Sequence, residues 1–363
     1  MSPKAGDEKI GERVLRRRPT EPVPAAGASG ARMQEWASMS AAGTTQPRHG
    51  ITVPFDVPLH QHRRWFELLV DLGYTDIWSM EVDGADGFTP LALAAAWTPA
   101  LNLGIAIAPV FTRGPALLAQ TAAAMADAAP GRFALGVGSS SEAIVQRWNG
   151  LSFEEPYRKA RDVLRFLKSA MTGERVEAEF STFATKGFRL SRVPEQPPPI
   201  YLAALRPGML ALAGREADGA ILNWLSAEDV KKAVAEIGGE GHKEVVARIF
   251  TIPTEDVVTA RAVGRRMIAA YMNVEAYAQF QAWLGRGELL AGMWEKWSAG
   301  DRRGALEAIP DEVVDDLIVH GSFDRCRDKI AAYARNGVTI PAPMIIPVGV
   351  DLEDAVRGLA PRA

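Results

Sequence analysis

The sequence has very little cysteine. Cys326 is its single cysteine among 363 residues. An internal disulfide framework and a cysteine-based zinc cluster are therefore excluded, and a reducing, cytoplasmic setting is expected. Histidine is scarce as well, with 5 residues in the chain. Few side chains are thus available as ligands for a metal centre.

Long apolar runs and a strong net charge are also lacking. No stretch reaches the roughly 18 consecutive apolar residues that indicate a membrane-spanning helix. The arginine cluster at positions 16–18 is followed by prolines and a glutamate instead of an apolar segment, so no secretion signal is predicted. A net charge of −3 gives no general attraction for nucleic acid or for an anionic membrane surface. We expect a protein that acts on a small molecule.

The apolar content is sufficient for a large core. Hydrophobic residues make up 47% of the chain and charged residues 23%, which is ordinary for a globular protein. Residues 1–49 are rich in Ala, Gly, Pro and Ser without a sustained apolar period, and this composition predicts a disordered tail. Residues 50–363 are predicted to form one folded domain.

Short β-rich runs alternate with longer helical ones after position 50, a pattern typical of βα units around a parallel sheet. The predicted strands are 51–55, 76–80, 102–108, 132–137, 200–204, 219–223, 246–252 and 342–346. Eight such runs favour an α/β fold of the closed (β/α)8, or TIM barrel, type over an open sheet.

Two segments exceed a minimal barrel and are interpreted as insertions. Residues 177–194 alternate in β-type residues around a predicted turn at Lys186-Gly187, which indicates a hairpin. Residues 255–319, before the last strand, carry apolar positions at helical spacing and predict several helices. Three tryptophans in this second insertion are expected to pack it onto the barrel, and a substrate-pocket wall is the alternative.

Barrel enzymes place their chemistry at the carboxyl ends of the strands. The second strand ends near Glu81, followed by Asp83 and Asp86. A solvated acidic loop is one interpretation, since Asp is common in turns. The sharper hypothesis makes Glu81 a proton donor or acceptor, because partial burial in a barrel mouth raises the pKa of a carboxyl group.

His60 and His62 support a rival hypothesis. A His-x-His pair after the first strand is a possible start of the metal site of a hydrolase. The remaining histidines do not follow central strands, so we expect no metal site and place both residues exposed at the start of the first helix.

Small residues follow the fourth and fifth strands, each time just before a helix. Such loops let a backbone approach a ligand closely, and a helix N-terminus offers free N–H groups to a phosphate. An arginine in the second loop suits an anion as well. Helix capping by serine is the alternative for the first loop. The loop residues are Gly138, Ser139, Ser140 and Ser141 in the first, and Ala203, Ala204, Leu205 and Arg206 in the second.

Four stretches give the chain a resemblance to a known family. They read FTPLA at 88–92, GIAIAPVFTRGP at 104–115, GRFALGVG at 131–138 and PIYLAA at 199–204. In this order and spacing they resemble the luciferase-like monooxygenases, specifically the branch that depends on coenzyme F420. The resemblance spans about 50–347 of the chain.

The resemblance implies a (β/α)8 barrel that holds a flavin or deazaflavin at the carboxyl end of its strands. It implies a bulge in the third strand, made by Ala106, Ile107 and Ala108, with a non-prolyl cis bond between Ala106 and Ile107 behind the cofactor ring. The two small-residue loops match the family's phosphate-binding loops. Asn223 and Trp224, after the sixth strand, become candidates for ring or substrate contact, with ordinary packing as the alternative.

Two departures from the family pattern argue for a different substrate. Some relatives carry a histidine where this chain has Glu81, and relatives place a carboxylate where it has Ser139. The function implied is hydride transfer between F420 and an organic substrate. An FMN-dependent monooxygenase and a non-catalytic flavin-binding protein are the alternatives. A homodimer is expected from the resemblance.

Overall fold

Strands and helices alternate along the chain. This computed structural model describes residues 48–238 and 243–362. The strands are β1 (Gly50–Thr52), β2 (Asp76–Ser79), β3 (Asn102–Pro109), β4 (Phe133–Gly138), β5 (Val176–Glu179), β6 (Ala184–Phe188), β7 (Ile200–Ala203), β8 (Gly219–Asn223), β9 (Glu244–Ile252), β10 (Val319–His320) and β11 (Ile340–Ile345). The predicted tail at 1–49 lies outside the described residues, apart from Arg48 and His49.

Helices occupy most of the connections between strands. Their bounds are His62–Asp71, Thr89–Trp97, Pro115–Ala128, Pro156–Met171, Pro207–Glu216, Asp229–Ile237, Val257–Met272, Glu275–Leu284, Gly287–Ser298, Arg302–Glu307, Asp311–Leu317, Phe323–Arg335 and Leu352–Gly358, with a short 3-10 turn at Leu59–Gln61 and a π-helical segment at Ala143–Trp148. Proline stands in the first turn of four of them, where its missing N–H costs no helical hydrogen bond.

Eight parallel strands form the barrel, in the order β1, β2, β3, β4, β7, β8, β9 and β11. The predicted (β/α)8 fold is confirmed. Apolar side chains fill the barrel interior, where Trp78 stacks on Tyr201 with ring centroids 6.0 Å apart. A larger apolar cluster lies between the strands and the surrounding helices.

The seam between β11 and β1 is less regular than the other strand pairs. Pro341 and Pro343 lack the N–H groups that β11 would need for a full ladder on both of its sides. A side chain helps to close the seam instead, since the Thr52 hydroxyl donates to the Ala342 carbonyl at 3.1 Å. The first strand is shorter than predicted and ends at Thr52, just before the cis Val53–Pro54 bond.

The predicted hairpin exists, but its turn was placed wrongly. β5 and β6 are antiparallel, and the chain turns at 180–183, where the Phe180 N–H donates to the Phe183 carbonyl at 2.8 Å. Lys186 and Gly187 lie inside β6 at an irregularity in the ladder, with Gly187 at a φ of 69°. A glycine in the left-handed region here makes a β-bulge and not the hairpin turn.

The insertion before the last strand is helical, as predicted. Its five helices pack around a second apolar cluster beside the barrel mouth. The Trp294 indole donates to the Met272 carbonyl at 2.8 Å and so ties two of these helices together. The insertion ends in β10, which pairs with Thr251 and Ile252 of β9 and was not predicted. Trp294 also packs against this second cluster, which contains Phe250 and Ile252 of β9, so the interpretation that it packs the insertion onto the barrel holds for Trp294.

Candidate active site

The third barrel strand carries a bulge at its carboxyl end. The β3–β4 register shifts between Ile105 and Ala108, and the Ala106–Ile107 bond is cis, as the resemblance implied. Ala106 and Ile107 are partly exposed, whereas Ala108 is buried. The Glu81 N–H donates to the Ile107 carbonyl at 3.4 Å, so the end of β2 is attached to the bulge.

The loop after β4 begins at Gly138 and continues through three partly exposed serines. Ser140 has a φ of 63°, in the left-handed region that few non-glycine residues adopt. The Ser141 hydroxyl oxygen accepts from the Ile144 N–H at 3.4 Å, so this serine caps the π-helical segment that follows. The Ser139 hydroxyl donates to the Ser140 carbonyl at 3.4 Å, within the loop.

The loop after β7 lies beside the β4 loop, because Val137 pairs with Leu202 in neighbouring strands. Ala203 and Leu205 are partly exposed, while Ala204 is buried and its N–H donates to the Ile221 carbonyl at 3.0 Å. Arg206 is exposed, and its guanidinium donates to the Gln279 side chain of the helical insertion. The structure thus brings the two predicted phosphate loops together at one rim.

Gly138 is the point where these loops meet the bulge. A Cβ atom at position 138 would lie 2.8 Å from the Ala203 Cβ and 3.3 Å from Ile107 Cγ1. Any side chain at position 138 would therefore occupy the space between the ends of β3, β4 and β7.

Glu81 and Arg113 form an ion pair beside the bulge. Arg113 Nε lies 3.0 Å and 3.1 Å from the two carboxylate oxygens of Glu81, and the Gly87 N–H donates to the same carboxylate at 3.3 Å. The side chains are 14% and 21% exposed, for Glu81 and Arg113 respectively. Both carboxylate oxygens are therefore engaged, and Glu81 holds the strand ends as well as facing the mouth.

A cleft of about 390 Å³ opens next to this ion pair. Its walls include Glu81 and Arg113 together with Pro109 at the end of β3 and Ile144 and Asn149 from the chain after β4. A lining that combines apolar side chains with a few charged and polar groups is typical of small-molecule sites.

Arg248 is the most buried charged group at the mouth. It is 9% exposed, and its guanidinium donates to the Ala106 carbonyl of the bulge. Burial lowers the pKa of Arg248 from its ordinary value, while Tyr271 and Tyr277 face it and act in the opposite direction. Such a group stays protonated at neutral pH, because arginine starts from a very high pKa.

Asn223 and Trp224 follow β8 but have different surroundings. Asn223 is partly exposed at the mouth, and its amide donates to the Tyr277 hydroxyl at 3.3 Å. Trp224 is 1% exposed and stacks on Phe250, with ring centroids 4.1 Å apart. The packing alternative therefore describes Trp224 in this structure, and Asn223 is the one of the two that faces the site.

A family model described as luciferase-like monooxygenase matches residues 31–339, well over half of the chain. The chain belongs to the luciferase-like monooxygenase family. It is 25% identical to a protein of Mycobacterium tuberculosis named as a coenzyme F420-dependent oxidoreductase, over 84% of this chain and 94% of that protein.

Solved structures of luciferase-like proteins have the same fold. The F420-dependent tetrahydromethanopterin reductase of Methanopyrus kandleri superposes with a TM-score of 0.71 at 22% identity, covering 87% of this chain and 98% of that one. The oxygenating part of 3,6-diketocamphane monooxygenase of Pseudomonas putida, in complex with FMN, gives a TM-score of 0.55 at 16% identity, covering 87% and 97%.

The expectation that both His60 and His62 are exposed is wrong for His62. His60 is exposed, but His62 is fully buried. Its Nδ1 lies 3.2 Å from the Pro58 carbonyl and its Nε2 accepts from the Phe55 N–H at 3.2 Å. Both ring nitrogens therefore serve the backbone, with the proton on Nδ1. Burial lowers the pKa of His62, which favours this neutral form.

Sequence reasoning assigned no role to three residues that the structure places at the candidate site, namely Arg113, Arg248 and Tyr277. Arg248 had a signal, because it is the single charged residue in the apolar run VVARIFTI at 245–252. A charge inside a barrel strand is uncommon and calls for an explanation.

Among the described helices, none combines the length and the apolar character that crossing a membrane requires.

Proposed function

We propose that this luciferase-like protein is a coenzyme F420-dependent oxidoreductase that moves a hydride between the deazaflavin ring and an organic substrate. The observation that carries the proposal is the partly exposed Ala106–Ile107 bulge, flanked at one rim by two loops of small residues. The relatives named for F420 support it, since they align over most of the chain.

The residues present fit such a cofactor. The space beside Gly138 that a Cβ would fill is bounded by Ile107 and Ala203, so the rim keeps room that only glycine leaves free. The Oδ1 atom of Asn223 is buried without a partner among the described residues and is available to a ligand. Arg248 is paired with Asn223 in the β8–β9 ladder, so it places a positive charge at the same height in the barrel as Asn223.

Each rim element has a proposed role. Ala106, Ile107 and Ala108 support the back of the ring, and bound F420 supplies a carbon that accepts or donates the hydride. Phosphate is held by the two loops, through backbone N–H groups and the Arg206 guanidinium. These loops comprise Gly138, Ser139, Ser140 and Ser141, and Ala203, Ala204, Leu205 and Arg206.

Glu81 is proposed to donate or accept the proton that accompanies hydride transfer. Its carboxylate lies beside the cleft and is oriented by Arg113, so the ion pair fixes where a proton is exchanged. Asn223 is proposed to contact the ring or the substrate. Trp224 supports this part of the mouth from behind by packing on Phe250.

We further propose a cytoplasmic homodimer whose catalytic domain comprises residues 50–363, preceded by a tail at 1–49. Exposed apolar side chains near the mouth support a subunit contact, and they include Leu117, Trp148 and Leu151. Light scattering of the purified protein measures the oligomeric state directly.

Cofactor titration tests the proposed function. Quenching of cofactor fluorescence is expected to show one F420 bound per chain, with an affinity at least about tenfold higher than for FMN. Reduction of bound F420 by small alcohols and aldehydes then distinguishes an enzyme from a non-catalytic binding protein. Failure of the protein to bind either cofactor contradicts the proposal.

An FMN-dependent monooxygenase is the second candidate function. The FMN-bound monooxygenase of Pseudomonas putida has the same fold, and the same rim would hold the single phosphate of FMN. Preferential FMN binding, with oxygen consumption once a reductase is added, would favour this candidate.

A further inference from the structure

Arg248 extends across the barrel instead of along its own strand. β3 and β9 are separated by four steps in either direction around the eight strands, so they lie on opposite sides. The Arg248 guanidinium nevertheless donates to the Ala106 carbonyl on β3. The charged group therefore lies near the barrel axis, between the apolar interior around Trp78 and the open mouth.

No carboxylate compensates this charge within 4.0 Å in the described parts of the chain; the groups that face it are the phenols of Tyr271 and Tyr277. Arg286 provides a comparison, because it is buried to a similar extent and pairs with Asp229 at 2.8 Å and Asp316 at 3.0 Å. A buried cation without a counter-charge is costly for a folded protein. An anionic ligand would remove that cost.

Asn223 lies next to Arg248 in the ladder between β8 and β9. Side chains at paired positions of neighbouring strands point to the same face of a sheet. The Asn223 Oδ1 atom has no partner in the described structure, and Arg248 has five N–H donors, of which Ala106 accepts one bond. Arg248 thus has N–H donors left for an anion, whereas the free Asn223 oxygen can only accept a hydrogen bond from an N–H or O–H group of the same ligand.

We propose that Arg248 is the counter-charge for a planar anion bound at the centre of the barrel mouth, and that the Asn223 oxygen beside it accepts from an N–H or O–H group of a ligand that carries one. This inference rests on the proposed function for its location. A guanidinium matches planar oxyanions better than any other cationic side chain. Two sources share this chemistry: the polar edge of the deazaflavin ring in its anionic reduced form, and a carboxylate of the substrate.

Binding measurements on three variants of the full chain test the proposal. Arg248→Met removes the charge at similar volume, and Arg248→Lys keeps the charge without the planar fork. Arg132→Met is the matched control, since Arg132 also donates to a backbone carbonyl, that of Leu101 at 2.6 Å, but at the amino end of β4. Oxidised F420, reduced F420 and sodium benzoate are the probes, with fluorescence and thermal shift as readouts.

If the ring edge is the anion, Arg248→Met is expected to weaken the binding of reduced F420 at least about tenfold more than that of oxidised F420. Arg248→Lys is expected to lose less affinity for reduced F420. For a substrate carboxylate, Arg248→Met is expected to abolish thermal stabilisation by benzoate and to leave both forms of F420 bound as before. Arg132→Met should match the natural protein in all arms. Either pattern supports the proposal.

The proposal is overturned if Arg248→Met binds both forms of F420 and benzoate as the natural protein does. It is also overturned if the natural protein gains no stability from any of the anionic probes. Failure of the proposed function can be distinguished from failure of this inference. If the natural protein does not bind F420 but is stabilised by benzoate through Arg248, the proposed cofactor is wrong and the anion site is still supported. If Arg248→Met does not fold, Arg248→Lys with unaltered binding of all probes decides against the proposal.

Discussion

Arg248 on β9 donates a hydrogen bond to the carbonyl of Ala106, 142 residues away in the sequence and on the opposite side of the barrel. This contact joins the strand that precedes the helical insertion to the bulge on which the cofactor site is proposed. The floor of the mouth is therefore cationic, although the interior below it is apolar.

The Glu81–Arg113 pair is expected to couple energetically. A double-mutant cycle of Glu81→Gln and Arg113→Met should give a coupling free energy of about 1–3 kcal/mol. The reason is that both side chains are largely buried and their contact is bidentate. Urea unfolding measures it. The exposed Arg303–Glu307 pair, 90% and 64% exposed, is the control and should couple by less than about 0.5 kcal/mol.

Turnover separates two roles for Glu81. If its carboxylate carries the proton, Glu81→Gln should lower kcat with F420 by about 10²-fold or more, and Arg113→Met by less. Equal losses in both variants would instead assign Glu81 to positioning alone.

Gly138→Ala should damage both stability and cofactor binding. The new methyl group would lie 2.8 Å from the Ala203 Cβ, so the loops after β4 and β7 must separate. Such overpacking costs about 1–3 kcal/mol, and F420 affinity should fall with it. Gly114→Ala is the control, because no atom lies within 4 Å of a Cβ placed there. We would measure the melting temperature and the F420 affinity of both variants. Equal changes in Gly138→Ala and Gly114→Ala would contradict the close packing proposed around Gly138.

Stability is expected to decrease on mild acidification. Burial lowers the pKa of His62 in the folded state below its unfolded value of about 6.5, so the folded form binds fewer protons. The stabilisation is complete above about pH 6.5 and is lost as pH falls below that value. His49 and His320 shift in the same direction by burial. Melting temperatures from pH 7.5 to 5.5 should decline less in His62→Gln than in the natural protein or in His60→Gln, and equal slopes would refute the assignment.

Asp162 is expected to anchor the hairpin. Burial alone would raise the pKa of Asp162, but hydrogen bonds led by that of the Ser181 hydroxyl at 2.6 Å hold the pKa below its ordinary value. The Thr182 N–H donates to the same oxygen at 3.0 Å. Asp162→Asn should cost about 1–3 kcal/mol. Hydrogen exchange should accelerate at 176–188 with F420 binding unchanged, and an unaltered exchange pattern would argue against the anchor.

The barrel could be predicted from the sequence because each strand is a short apolar run between helical segments, and such runs are local signals. The hairpin turn was misplaced for an equally local reason. Gly187 adopts the left-handed backbone that a turn also requires, but it serves a bulge, and the turn at 180–183 is set by the contacts of Asp162 and of the phenylalanines around Phe166. β10 consists of two residues, too few for any periodicity.

The candidate site was predictable only in part. The bulge followed from the resemblance, and the two loops followed from their small residues ahead of helices and then matched the family, since each is a contiguous motif. Arg248 and Tyr277 were missed because their meeting with Ala106 and Asn223 depends on strands and helices far apart in the sequence. His62 and Trp224 are ordinary residues of their segments, and only the packing around them decides that they are buried.

A crystal structure of the protein with F420 bound tests the central claim most directly. The deazaflavin ring is expected to pack at van der Waals distance, about 3.5–4.0 Å, against Ala106 and Ile107, with phosphate between the loops that begin at Gly138 and Ala203. A ring bound elsewhere, or a mouth in which F420 leaves Ile107 uncovered, would contradict it.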